Sequence, residues 1–183
     1  MTIGVEVEGL DKAIRFLELF PRETERAQIR AVNRGVQSAR TAGARAIAKD
    51  MGLKVGDARD QLKMELARPA QPEARLRASR KRIPLIRFKG TTGPEPSRGK
   101  GRVKSGLKGG KRAIPGAFIA TPRRRGVFRR LGKGRGPITE LHGPSIYRVA
   151  KKKIAEMKAR GREVAAKELL RLLRREVGRS RVG

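Results

Sequence analysis

Hydrophobic and polar positions along this chain change period several times, and each change predicts an element. Ile3, Val5 and Val7 alternate with Gly4, Glu6 and Glu8, the two-residue period of a half-buried strand that Gly9 ends. Leu10, Ala13, Ile14, Leu17 and Phe20 then share one face of a short helix closed by Pro21. A second helix is predicted over 22–51. Its apolar face is a row of small residues, Ala27, Ala31, Gly35, Ala39, Gly43 (with Ala42) and Ala46, and Gly52 is its stop. Such a row lets another backbone approach closely, so the helix either lies flat on a sheet or helix of its own chain or offers a groove to a partner. Residues 56–62 suit one or two helical turns. The period then falls to two, and strands are predicted over 64–67, 74–78, 83–88, 117–120 and 127–131. A last helix is predicted over 145–178, with Ser145 as cap, Gly178 as stop and a stripe of Ala150, Ile154, Met157, Gly161, Val164, Ala165, Leu169, Leu172, Leu173 and Val177. A helix of that length spans on the order of 45–50 Å, longer than a small domain, so part of it is expected to pack on a neighbouring subunit.

Between Lys89 and Ala113 the periodicity disappears. Gly, Pro, Ser and Lys dominate, and 89–113 reads as a long flexible basic loop that orders against a partner. The charge is concentrated around it. Residues 71–135 hold 21 Lys/Arg and two acids (Glu73 and Glu95), a balance of +19 out of the chain's net +30. A field of that density draws the protein to polyanions or to an acidic protein surface, with strong salt dependence. Composition adds bounds. The 183 residues are 37% hydrophobic and 3% aromatic, with neither Trp nor Cys, so the core must be small and aliphatic and no thiolate or disulfide chemistry exists. The first residues lack the basic and apolar regions of a signal peptide, and no uncharged run approaches the roughly 18–20 residues of a membrane span. A soluble protein made in a cytoplasm, without a membrane partner, is the expectation.

Candidate chemistry is sparse. The one histidine, His142, cannot build a zinc site without cysteines, and no acidic cluster supports two-metal chemistry. His142 and Ser145 are three apart but lack a Gly-x-Ser-x-Gly elbow, so Ser145 reads as a helix cap. Gly132–Pro137 is glycine-rich and basic, yet it lacks the Lys-Ser/Thr and the helix of a P-loop and reads as a hairpin turn. No catalytic residue, metal or cofactor is assigned. Phe88, Phe118 and Phe128 lie in strand-like apolar contexts and read as core in preference to stacking platforms. Any nucleic-acid contact should therefore be to phosphates. The assigned cations are Lys100, Arg102, Lys104, Lys108, Lys111, Arg112, Arg123, Arg124 and Arg125.

Four blocks occur in a distinctive order: Arg82-Ile83-Pro84-Leu85-Ile86-Arg87-Phe88, Ile114 to Thr121, Gly126-Val127-Phe128-Arg129-Arg130, and Pro137 to Ile146. This order resembles the minor tail protein Z family of long-tailed bacteriophages, or tail completion proteins, from about Ala27 into the last helix. Val7-Glu8-Gly9-Leu10-Asp11 also resembles the wider group of neck and tail-completion proteins. The resemblance implies an α+β fold, with long helices packed on a small curved antiparallel sheet, and assembly as a ring. It further implies a structural, non-enzymatic role at the head–tail junction of the virion. The partners it implies are tail-tube, terminator and neck proteins and the end of the packaged DNA, with six copies matching the sixfold tail tube and assembly in the host cytoplasm. On that footing residues 1–144 form the α+β domain and 145–183 a C-terminal helix, with Ala39, Gly43, Leu169 and Leu172 at the subunit interface. The alternative is a non-specific nucleic-acid-binding protein of ribosomal or nucleoid type, for which +30 is ordinary.

Overall fold

The computed structural model describes residues 21–94, 102–107, 113–132 and 136–179, and the strand expected over 3–7 and the helix expected over 10–20 lie outside them. Helix α1 runs over Pro21–Met51, close to the predicted 22–51. It ends because Gly52 turns to a left-handed φ of 70°, which a residue with Cβ rarely adopts. That turn lets Leu53 N donate to Ala48 O at 3.0 Å, and Leu53 is fully buried beyond it, the hydrogen bond and apolar contact of a Schellman stop. A short helix α2 follows at Val55–Asp60, then strand β1 (Leu62–Glu65) paired with β2 (Arg75–Ala78). Strand β3 (Val103–Lys104) pairs antiparallel with β4 (Ala113–Ile114). Strands β5 (Ala117–Ala120), β6 (Gly126–Arg130) and β7 (Ile138–Glu140) form an antiparallel sheet with β6 in the middle. Helices α3 (Tyr147–Lys152) and α4 (Ile154–Arg179) complete the α+β fold.

The chain divides into two compact units: one contains the residues up to Ala39, Met64–Arg75 and those from Lys158 on, the other Arg40–Lys63 and Leu76–Met157. In the first unit the small-residue row lies against α4. A Cβ built on Gly35 would stand 2.6 Å from Gly161 O and 2.9 Å from Ala165 Cβ, so only glycine permits this approach. Asn33 holds the stretch after β1 to α1: its Nδ2 donates to Ala67 O at 3.1 Å and its Oδ1 accepts from Ala67 N at 2.7 Å. In the second unit Ala44, Ile47, Leu53, Leu62, Phe88, Val127 and Ile146 belong to one aliphatic core. The register Ala117↔Arg129 and Ile119↔Val127 sets Ala117, Ile119 and Val127 on the face of the sheet that meets it.

Four expectations are corrected. The strand predicted over 83–88 is a 3-10 turn at Leu85–Arg87, flanked by single bridges Pro84↔His142 and Leu53↔Phe88. Leu85 and Phe88 are both buried, the three-residue spacing of such a turn, whereas strand alternation would bury Arg87 in place of Phe88. Ser145 does not cap the last helix: Ile146 occupies that position, and no side chain caps it. The single helix expected over 145–178 is interrupted at Lys153, whose N donates to both Val149 O and Ala150 O at 3.1 Å. This is a local tightening, and Met157 N to Lys153 O at 3.0 Å resumes the helix. Gly178 is not a stop, because α4 continues through Arg179.

Within 89–113 the structure also describes an ordered piece. Val103 is fully buried in the core, and Lys104 exchanges backbone hydrogen bonds with Thr92 at 2.7 and 3.1 Å. Val103→Ala removes two buried methyl groups and leaves a void, so unfolding by denaturant should show a stability decrease of about 2 kcal/mol. Gly35→Ala should lower the melting temperature through overpacking worth about 1–3 kcal/mol, less the ~1 kcal/mol that Ala contributes to a helix interior. Gly43→Ala meets side-chain atoms alone, Met157 closely and Leu62 at ordinary contact, where Gly35→Ala meets backbone, and should be the milder of the two.

Candidate polyanion interface

The other face of the sheet carries Phe118 opposite Phe128. Phe118 is half-buried and lies 6.4 Å, ring centroid to centroid, from the buried Phe128. The Arg130 guanidinium sits 5.5 Å from the Phe118 centroid, so that ring is already covered by a cation. The phenylalanines are thus core or capped core, as the apolar contexts suggested.

Of the nine cations assigned from sequence, Lys100, Lys108, Lys111 and Arg112 lie outside the described residues. Arg102 and Lys104 are exposed on either side of Val103, because alternation along β3 that buries Val103 turns its neighbours outward. Arg123, Arg124 and Arg125 are exposed in the turn joining β5 to β6. Arg124 Nη2 donates to Glu140 Oε2 at 2.7 Å, while among the described residues no carboxylate pairs with Arg123 or Arg125. Glu140 lies on β7, and its other oxygen, Oε1, is buried without a hydrogen-bond partner among the described residues. His142 closes this group, with Nδ1 3.1 Å from Glu140 O and Nε2 3.8 Å from Glu140 Oε2. The geometry suits holding the end of the sheet together around one carboxylate.

The four assigned interface residues are placed differently. Ala39 meets Gly161, and Gly43 meets Met157, so both are covered within the chain. Leu172 is buried and Leu169 half-buried on α4, which also carries exposed Leu170 and Ile154. Among the described residues no cluster of His, Cys, Asp or Glu could hold a metal ion, and no helix is long and apolar enough to cross a membrane.

Sequence reasoning passed over one further cluster. The exposed Tyr147 opens α3, and the Arg80 guanidinium stacks on its ring at 4.7 Å from the centroid, with Nη2 3.5 Å from the hydroxyl. Hydrogen bonding from Arg80, then its charge, lowers the Tyr147 pKa below the ordinary tyrosine value, and the charge of Lys151 adds to this. The two partners are 67 positions apart, so no local spacing signals the pair. The only hint is a single tyrosine next to a basic run. Because Tyr147 is the sole tyrosine of a chain without tryptophan, tyrosinate absorbance titrates it alone. Arg80→Gln should move that titration upward, towards the ordinary tyrosine range, and an unmoved midpoint would show that Arg80 does not act on the ring.

The α+β fold is the one the resemblance implies. Neither the curated proteins nor the solved structures contain a significant match to the chain. The family described as prophage minor tail protein Z (GPZ) matches residues 7–180, nearly the whole length, and the chain belongs to that family of phage tail proteins.

Proposed function

We propose that this tail protein is a structural component of the neck, assembled as a ring of six at the head–tail junction, where it helps to position the end of the packaged DNA. The match over residues 7–180, which extends across both compact units, supports a structural role in the tail, and the neck is the place this reading gives it. The charge supports the DNA contact: Arg102, Lys104, Arg123 and Arg125 are exposed, and they belong to the segment that holds +19. They would touch phosphates without reading bases, because the nearby phenylalanines are already covered. Assembly takes place in the host cytoplasm, and no catalytic step is involved. Neighbouring subunits would meet through α4, by way of Leu169 and the exposed Leu170.

A phage whose own copy is deleted, supplied with an epitope-tagged chain, tests the location. Immunogold label should sit at the neck of finished particles, and label along the tube or absent from particles would overturn the reading. Native mass spectrometry should show six copies in the isolated neck. The DNA contact is tested separately. Replacing Arg102, Lys104, Arg123 and Arg125 with Ser should leave the circular dichroism unchanged and weaken binding to unrelated duplexes equally. The slope of log K against log salt should flatten by about 0.9 for each phosphate that the variant no longer neutralises. A marked preference for one DNA sequence would contradict it.

A further inference from the structure

Two anchored segments of the second unit bring cations and an aromatic ring to one place. Ser79 N donates to Gln61 O at 2.8 Å, Lys81 N donates to Ser79 Oγ at 3.1 Å, and Ile83 is buried, so 79–83 is fixed at both ends while Arg80, Lys81 and Arg82 protrude. Buried Ile146 and Ala150 fix α3, which leaves Tyr147, Arg148, Lys151 and Lys152 exposed. Arg80 and Tyr147 touch, and Lys151 follows Tyr147 by four residues on α3, one helical turn along the same face. The sequence contains no Asp or Glu from 74 to 94 or from 141 to 155, and among the described residues none of these six cations pairs with a carboxylate.

A guanidinium over a ring keeps most of its N–H groups for an anion, and in Arg80 only Nη2 is shared with the Tyr147 hydroxyl. The ring holds Arg80 in place, so less side-chain freedom is lost when an anion arrives. We propose that Arg80, Tyr147 and Lys151 form a clamp for the phosphodiester backbone of DNA, flanked by Lys81, Arg82, Arg148 and Lys152. The clamp rests on the DNA-contact reading above and adds a site to it. Duplex DNA offers a charge about every 1.7 Å, which suits a run of cations uninterrupted by acids. A protein partner would more usually be met by charges of both signs around an apolar centre.

Tyr147, as the sole tyrosine without tryptophan, gives the experiment its readout. Tyrosine emission of the full-length protein is followed during titration with long-chain inorganic polyphosphate, which does not absorb in that region. Binding of a labelled duplex is measured against salt in parallel. Polyphosphate should change the emission, in the wild type and equally in the Arg102/Lys104/Arg123/Arg125→Ser variant. Arg80→Gln with Lys151→Gln should keep the wild-type circular dichroism, abolish the emission change and flatten the salt slope by about 1.8, the equivalent of two phosphates. Tyr147→Phe, which keeps the stack, should bind duplex nearly as the wild type does, and Tyr147→Ala should bind more weakly. If the wild type binds duplex but the Arg80/Lys151 variant shows the same slope and emission response, the clamp falls and the DNA-contact reading stands. If the wild type binds neither duplex nor polyphosphate, both fall. If poly-glutamate at matched charge changes the emission as strongly as polyphosphate, the site takes acidic protein and the assignment to DNA is overturned.

Discussion

Forty-seven cations against seventeen carboxylates cannot be neutralised within one chain, and the organisation of this protein follows from that imbalance. Burying an unpaired charge is far more expensive than exposing it, so nearly every Lys and Arg must stay at the surface. With 35% of the residues charged and 3% aromatic, what remains for the interior is small and aliphatic. The core of the second unit reflects this: around Phe88 and Met51 it is built from alanine, valine, isoleucine and leucine drawn from the helices, the strands and the 3-10 turn. Small side chains bury little area each, and close approach of backbones has to make up for it. Gly35 and Gly161 supply that approach in the first unit.

Carboxylates are the scarce component, and they are used locally. On α4, Glu163 accepts from Lys167 at 2.8 Å and from Arg160 at 2.9 Å, and Glu168 accepts from Arg171 at 2.6 and 2.9 Å. Lys167 first, then Arg160, hold the Glu163 carboxyl below its ordinary value, and Arg171 does the same for Glu168. Spacings of three and four along a helix bring these pairs together without tertiary structure. Elsewhere a carboxylate joins separate elements: Asp57 on α2 meets Arg87 in the 3-10 turn, and Glu140 on β7 meets Arg124 in the β5–β6 turn.

Elements that repeat a period over many residues were legible in the sequence. The small-residue row of α1 recurs every four positions from Ala27 to Gly43, and all five positions are buried. Alternation over 117–120 and 127–131 likewise located β5 and β6 to within a residue. Legibility failed where a single residue decides. Val103 has only Leu107 for apolar company among basic residues, glycines and a serine, so no period announces that it enters the core. Arg82 to Phe88 has the composition of a strand, but Pro84 and the burial of Phe88 turn it into a 3-10 segment. The tightening at Lys153 leaves no mark, since the apolar stripe continues across it. Arg80 and Tyr147 meet only because the fold brings the end of β2 and α3 together, and pairwise chemistry between distant positions is invisible to local pattern.

Net charge says that a polyanion will be attracted, but pairing decides which cations it meets. A cation already bonded to a carboxylate keeps part of its field at home, and releasing it for a phosphate means breaking an existing bond. Arg160, Lys167 and Arg171 are of that kind, so on α4 two carboxylates compensate half of the four cations over 160–171. In the second unit, 79–82 and α3 carry six cations over stretches without any acid, and Arg80 is stacked on a ring instead of bonded to a carboxylate. The attraction is therefore uneven. The positive field is strongest where carboxylates are missing and the cations are held by anchored backbone, so the distribution of seventeen acids, more than that of forty-seven bases, sets where the uncompensated charge lies.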